Sequence, residues 1–261
     1  EFGVPCYADL GKMLAQQRPD LVHIVTPPSV RVDVMRLVSD LGVPACIVEK
    51  PIAQGVEDWR ELNRLANSTA TRFAACHQFR YGPYLKQCRD TLASGTLGPL
   101  MFIEFSAGMN VAGQGTHILD WAMLLNGDAP VVQVFGNVSG ASMGDAVHPA
   151  PDTGVGHVVF ANGVHGVWKM GAVARRVRTG PATHLHCRVA AYAQRGHVVY
   201  EEFGGVRIAT PEGVVNLAPS DDEIREMNHA AQAGLTNAMF DWLENAGKPA
   251  GTNLSRSLHQ W

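Results

Sequence analysis

Val43-Pro44-Ala45-Cys46-Ile47-Val48-Glu49-Lys50-Pro51 is the stretch on which the reading of this chain turns. A short apolar run rich in β-branched residues and bounded by turn signals has the pattern of a parallel strand buried on both faces. In open α/β sheets, ligands bind beyond the carboxyl ends of such strands, which is where Lys50 stands. Burial tunes a lysine there toward acid–base work. Pro51 restricts the backbone directly after it, with a cis bond as one option. The plain alternative is a lysine that ends a strand at the surface.

Upstream, Asp9 to Gln17 reads as a short helix closed by Arg18-Pro19, and Leu21-Val22-His23-Ile24-Val25 as a buried strand ended by Thr26-Pro27-Pro28. Val34, Leu37 and Val38 fall at helical spacing within Val30 to Ser39, and Gly42 follows as a stop. Downstream come a helix over Val56 to Asn67 and a strand over Phe73 to Cys76. This strand–helix alternation with short connections predicts a partial doubly wound, Rossmann-like parallel sheet.

After Gly82-Pro83 the pattern changes. One helix over Tyr84 to Ala93 gives way to extended segments at Leu100–Gly108, Val131–Ser139, Gly156–Phe160, Val164–Val173, Leu185–Ala193 and His197–Phe203. Asn162-Gly163 and Gln194-Arg195-Gly196 have hairpin chemistry. Gly115 to Leu125 and Asp221 to Asn245 read as helices, and another opens near Asn253. The expected fold is α/β: a dinucleotide-binding domain over 1–81, then an α+β substrate and oligomerisation domain over 82–261 with a large open, mostly antiparallel sheet. Ser142 to Thr153 has the composition of a mobile loop.

The formal net charge of −3 makes no electrostatic case for nucleic acid. No run approaches the roughly 20 apolar residues of a membrane span. Five scattered cysteines without a Cys-x-x-Cys unit suit a reducing compartment, so the cytoplasm is the expected location.

Two clusters beyond Lys50 carry polar chemistry. In Gly113-Gln114-Gly115-Thr116-His117-Ile118-Leu119-Asp120, His117 and Asp120 lie three apart on one helix face, where a carboxylate can orient an imidazole for proton transfer. A structural helix-start histidine is the alternative. His77-Gln78-Phe79-Arg80-Tyr81 follows a strand and either lines a cleft or packs, with Arg80 paired to a carboxylate. His184-x-His186 alternates along a predicted strand but lacks a third ligand, so no metal is expected. Arg175-Arg176-Val177-Arg178 reads as a solvated or carboxylate-paired run, and Asp221-Asp222-Glu223 as a helix amino terminus.

Thr26-Pro27-Pro28, Glu49-Lys50-Pro51, His77-Gln78-x-Arg80-Tyr81, Ser94-Gly95-x-x-Gly98 and Gly115-x-His117-x-x-Asp120 occur in that order. The succession resembles the Gfo/Idh/MocA oxidoreductases, the glucose–fructose oxidoreductase and inositol dehydrogenase family, over nearly the whole chain. The resemblance implies NAD or NADP as cofactor, bordered by Thr26, Pro27, Pro28, Glu49 and Lys50. It also implies catalysis by Lys50 and His117 with Asp120 in support, and substrate contacts from His77, Arg80 and Tyr81. The implied reaction moves a hydride between nicotinamide and a sugar or cyclitol hydroxyl. A homodimer or homotetramer, joined through the open sheet, is the implied assembly.

The chain departs from the family at Gly113, where an aspartate is usual, and at Arg31, where a histidine is usual. The family's Gly-x-Gly-x-x-Gly turn is expected upstream of Glu1, and the family's carboxyl-terminal end beyond Trp261. Gly113-x-Gly115 and Gly154-x-Gly156 lack the strand-to-helix setting of that turn. Two other readings remain at this point: a non-redox relative that binds carbohydrate or serves in an assembly, and cofactor-independent elimination or hydrolysis on a sugar.

Overall fold

A computed structural model describes residues 3–140, 150–177 and 186–260. The chain divides into two units: one holds the chain up to Cys76 together with Leu235–His259, the other holds His77–Gly234 and Gln260. The carboxyl-terminal stretch thus returns to the first unit, whereas the sequence reading assigned all of 82–261 to one domain.

In the first unit, β1 (Leu21–Ile24), β2 (Ala45–Val48) and β3 (Arg72–Ala75) form a parallel sheet in the order β1-β2-β3. All four residues of the central strand are buried, as its unbroken apolar run requires. Burial also pushes the Cys46 thiol far up, so it behaves as an apolar side chain. Helix α1 (Leu10–Gln17) starts where the Asp9 carboxylate accepts from Lys12 N at 2.7 Å. It ends at Arg18, which takes a left-handed conformation at φ 44°.

Helix α2 (Arg31–Asp40) contributes Met35 and Val38 to the core of this unit, and α3 (Val56–Ser68) contributes Leu62. Helix α7 (Leu254–Leu258) brings Leu254 and Leu258 into the same core. The approach to α7 runs beside β3, with Ala75 N donating to Thr252 O at 2.8 Å. Trp59 Nε1 donates to Leu258 O at 3.0 Å.

In the second unit the strands β4 (Leu100–Ala107), β5 (Val131–Ser139), β6 (Thr153–Phe160), β7 (His165–Met170), β8 (Arg188–Ala193), β9 (Gly196–Glu201), β10 (Gly205–Thr210) and β11 (Gly213–Leu217) form one sheet. Their order is β11-β10-β9-β8-β4-β7-β6-β5, antiparallel at every pairing except β4 with β7. Helices α4 (Pro83–Ala93) and α5 (Thr116–Leu125) contact this sheet, and their apolar side chains share a core with Ile103, Phe105, Val189 and Val198. Nine of the ten residues of α5 are buried, which suits a helix apolar on nearly all sides. Helix α6 (Asp221–Glu244) buries Ala231 in the second unit and Leu235 and Met239 in the first, at a four-residue spacing.

Strands β10 and β11 go beyond the sequence reading, in which the extended segments stopped at Phe203. Val206 and Ile208 on β10 are buried, and Thr210-Pro211-Glu212-Gly213 is the turn that signals the hairpin. The segment read as a strand over Val164–Val173 stops at Met170, where Gly171–Val173 forms a 3₁₀ turn with Gly171 at φ +68°. Strand β8 begins at Arg188 rather than Leu185, and His184, Arg178 and most of the predicted mobile loop fall outside the described residues.

Gly154 and Gly156 lie on β6 beneath the Trp168 ring rather than at a phosphate-binding turn. A Cβ at Gly156 would stand 2.4 Å from Trp168 ring atoms. Gly156→Val is therefore expected to destabilise the protein by about 1–3 kcal/mol through overpacking. A urea midpoint equal to that of the wild type would contradict this account of the glycine.

Strand β5 forms one edge of the sheet and exposes Val132, Val134, Phe135 and Val138, with Phe135 79% exposed. No helix among the described residues is long and apolar enough to cross a membrane.

Candidate active site

The sequence-predicted residues fall into two groups, one in each unit. Thr26, Pro27, Pro28, Glu49 and Lys50 belong to the first, and His77, Arg80, Tyr81, His117 and Asp120 to the second.

In the first group, the parallel pairing of β1 with β2 sets the two turns side by side at the carboxyl ends of the strands. Glu49 N donates to Ile24 O at 2.9 Å, extending the ladder into the Glu-Lys-Pro turn. Lys50 N donates to Glu49 Oε2 at 3.1 Å, and the Lys50–Pro51 bond is cis. Lys50 is half-buried, while Pro51, Ile52 and Ala53 are buried and anchor the turn from below. Beside them, the Thr26 hydroxyl is buried and finds no hydrogen-bond partner among the described residues. Arg31, overlooked as a site residue in the sequence, donates from its guanidinium to Thr26 O and to Pro51 O. Burial lowers its pKa, and the charge of nearby Glu49 works against that.

The second group is held by α5 and the turn after β3. His117 sits in the first turn of α5, directly after a five-residue π-helical turn, Val111–Gly115. Asn110 opens that turn, its side-chain oxygen accepting from Gly113 N at 2.8 Å. The His117 ring, 3% exposed, meets the rings of His77 and Phe79 edge-on, each with centroids 5.2 Å away. Phe79 in turn meets Trp121, and Trp121 meets Tyr200 at 5.0 Å. Tyr81 packs against α6, where a Cβ at Gly234 would lie 2.8 Å from the tyrosine Cβ.

Asp120 is 1% exposed, and both its oxygens are engaged. Oδ2 accepts from Arg80 Nε at 3.1 Å and Oδ1 from Gln260 Nε2 at 3.1 Å. The histidine found beside it is His77, whose Nδ1 is 4.0 Å from Oδ1. Arg80 reaches a second carboxylate, Asp128, at 2.5 Å. Of the two readings of Arg80, the carboxylate-paired one describes its geometry. Burial opposes the charge of Arg80, but Asp120 and Asp128 outweigh it and raise the guanidinium's pKa.

Burial pushes Asp120 up to about 6, against the pull of Arg80. The folded state therefore holds this proton more tightly than the unfolded chain. The associated stability is present below about pH 4 and is lost as pH rises through 6. A protonated-carboxyl infrared band that disappears through about pH 6, and is missing in Asp120→Asn, is the expected result. A band gone by pH 4 would refute it.

Residues 1–77 match the sequence model of the Gfo/Idh/MocA oxidoreductase family, described as an NAD-binding Rossmann fold. That match spans the first 77 of the chain's 261 residues. Over 102 residues it is 30% identical to the rhizopine catabolism protein MocA of Rhizobium meliloti, a match covering 39% of this chain and 32% of that protein. Its fold is that of an oxidoreductase from Agrobacterium radiobacter solved with NAD+, L-tartaric acid and magnesium, at a TM-score of 0.76 and 16% identity. That match covers 97% of this chain and 78% of the other. An inositol dehydrogenase homologue from Azotobacter vinelandii, solved with NADH and myo-inositol, matches at a TM-score of 0.77 and 15% identity, covering 98% and 78%.

The two departures from the Gfo/Idh/MocA pattern have visible local settings. Gly113 is buried in the π-helical turn and capped by Asn110. Arg31 is buried among backbone carbonyls. Asp128 and Gln260 were not singled out in the sequence, because neither lies in a motif and each reaches Arg80 or Asp120 only through the fold. Among the described residues no three metal-ligating side chains cluster, and the Nδ1 of His186 accepts from Val177 N at 3.3 Å.

Proposed function

We propose that the protein transfers a hydride between NAD or NADP and a hydroxyl-bearing carbon of a sugar or cyclitol. The observation that carries this reading is the Glu49-Lys50-Pro51 turn, set beside Thr26-Pro27-Pro28 at the carboxyl ends of two parallel strands in the family's NAD-binding region. The residues there fit a nucleotide. Ligands of such sheets bind at this end, and the buried, unsatisfied Thr26 hydroxyl offers them a hydrogen bond. Thr26 to Pro28, Glu49 and Lys50 would border the cofactor. The nicotinamide, when bound, supplies the hydride acceptor or donor.

The chain's own groups handle the proton. Hydride leaves a carbon readily only as its hydroxyl is deprotonated, and His117 is the base in this reading. Its ring is held by edge contacts with His77 and Phe79 on a helix buried on nearly all sides. The Lys50 ammonium stabilises the developing alkoxide. Arg80 and Asp120 act as the fixed base of the His117 group, and His77 and Tyr81 as candidates for substrate contact. The relatives solved with NAD+ or NADH, one of them also with myo-inositol, support the cofactor and substrate classes.

The test is calorimetric titration with NAD+ and NADP+, followed by nicotinamide-coupled assay of a polyol and sugar panel. Binding with substrate-dependent turnover is expected. Carbohydrate binding without nucleotide binding would favour the non-redox reading, and product formation without nucleotide the elimination reading.

A second copy of the chain is the proposed cover for the open sheet, supported by the exposed apolar side chains of β5. Light scattering is expected to give at least a dimer, weakened by Phe135→Asp. A wild-type monomer at all concentrations would overturn the assembly.

A further inference from the structure

We propose that Arg31 is a positioning residue: it ties the Thr26-Pro27-Pro28 turn to the Glu49-Lys50-Pro51 turn and so holds Lys50 in its working place. The role rests on the reading of Lys50 given above. Arg31 opens α2 and is 1% exposed, as deeply buried as a core leucine. One terminal nitrogen donates to Thr26 O, five residues back, and the other to Pro51 O, twenty residues ahead. The two carbonyls belong to turns that follow neighbouring strands, and each turn carries a proline that can donate no hydrogen bond of its own.

The guanidinium is suited to this task because its donors sit in a rigid planar fork. A neutral imidazole has one N–H and would tie only one turn, and a lysine ammonium has no fixed spacing between its donors. The tie is also asymmetric in its demands. Arginine cannot shed its proton, so the buried charge must be met by the two carbonyls and by the field of Glu49, the residue before Lys50. Its Nε finds no hydrogen-bond partner among the described residues. Packing alone would be served better by an apolar side chain of similar length, which brings no desolvation penalty. What the charge adds is a fixed separation between two turns whose strands are also joined by the Glu49 N to Ile24 O bond.

The experiment is hydrogen exchange on the nucleotide-free protein in the wild type, Arg31→Met and Arg31→Lys, with steady-state kinetics of the same variants. The reporting amides are those of Thr26, Ser29 and Val30 on one side and Lys50 and Ile52 on the other. In Arg31→Met both sets are expected to exchange about tenfold faster or more, the scale of a lost charge-assisted bond, while β3 and the second unit keep their rates. Arg31→Lys should be intermediate, and kcat should fall together with a rise in KM for the nucleotide.

A role confined to packing would instead quicken exchange throughout the first unit, lower the melting temperature and leave kcat and KM per folded molecule unchanged. That pattern, or unchanged exchange at both turns, overturns the proposal. Should Arg31→Met fail to fold, the comparison of Arg31→Lys with the wild type decides. The exchange readout needs no nucleotide. A wild type without turnover would therefore defeat the functional reading while the tie is judged on exchange alone.

Discussion

Lys50→Ala is expected to lower nicotinamide-dependent turnover by about 10²–10³-fold, the usual cost of removing one preorganised group that stabilises developing charge. The side chain is half-buried at the end of a strand whose own four residues carry the local packing. Truncating it should therefore change stability by less than about 1 kcal/mol. The turn below it stays anchored by buried Pro51, Ile52 and Ala53, so loss of the ammonium and loss of the fold are separable in the same sample. Lys50→Arg refines the assignment. Arginine keeps the charge but cannot release its proton, so recovery by arginine would assign the role to charge and failure to recover would assign it to proton transfer. Substrate-dependent turnover at the wild-type rate in Lys50→Ala would remove Lys50 from the mechanism.

The second large effect concerns stability, and its asymmetry is the informative part. Asp120→Leu leaves Arg80 buried with a permanent charge, and breaking a buried pair this way costs about 3–5 kcal/mol. Asp128 stays within 2.5 Å of Arg80, which places the expected loss at the lower end. Arg80→Leu should be milder at neutral pH and below. Asp120 already sits near 6 because of burial, and without the guanidinium it rises further and escapes by taking a proton. The sign follows from linkage: a raised carboxylate pKa gives stability at low pH that is lost as pH climbs through it. The gap between the two variants should therefore widen as pH falls and narrow as pH rises. Urea denaturation of both variants at several pH values measures it. Equal losses at every pH would mean that Asp120 does not adapt.

These two predictions rest on features of different legibility. The Lys50 turn was readable because each of its signals is local. A β-branched apolar run, a polar pair and a proline occupy nine consecutive residues, and strand burial follows from their order. The helix ahead of β1 was equally readable from Asp9 and the Arg18-Pro19 stop. The β10–β11 hairpin was missed although its turn is local, because Thr210-Pro211-Glu212-Gly213 lacks the Asn-Gly or Asp-Gly signature that marked the β6–β7 turn. His117 and Asp120 were correctly placed on one helix, but spacing alone paired them with each other. In the folded chain Asp120 is claimed by Arg80, Gln260 and the neighbourhood of His77.

From its sequence alone, this protein is an α/β chain with a parallel sheet first and an open antiparallel sheet second, carrying motifs that resemble those of the Gfo/Idh/MocA oxidoreductases. Periodicity and turn chemistry act within a few residues, so they are written in the order of the letters. Only the tertiary structure decided which charges meet. Arg80 finds Asp120 forty residues away and Asp128 forty-eight, Gln260 reaches Asp120 across 140, and Arg31 spans twenty to close on Pro51. Such pairings depend on how strands are ordered and helices laid on them. A buried side chain takes whichever partner the fold brings within about 3 Å, and no local pattern names that partner in advance.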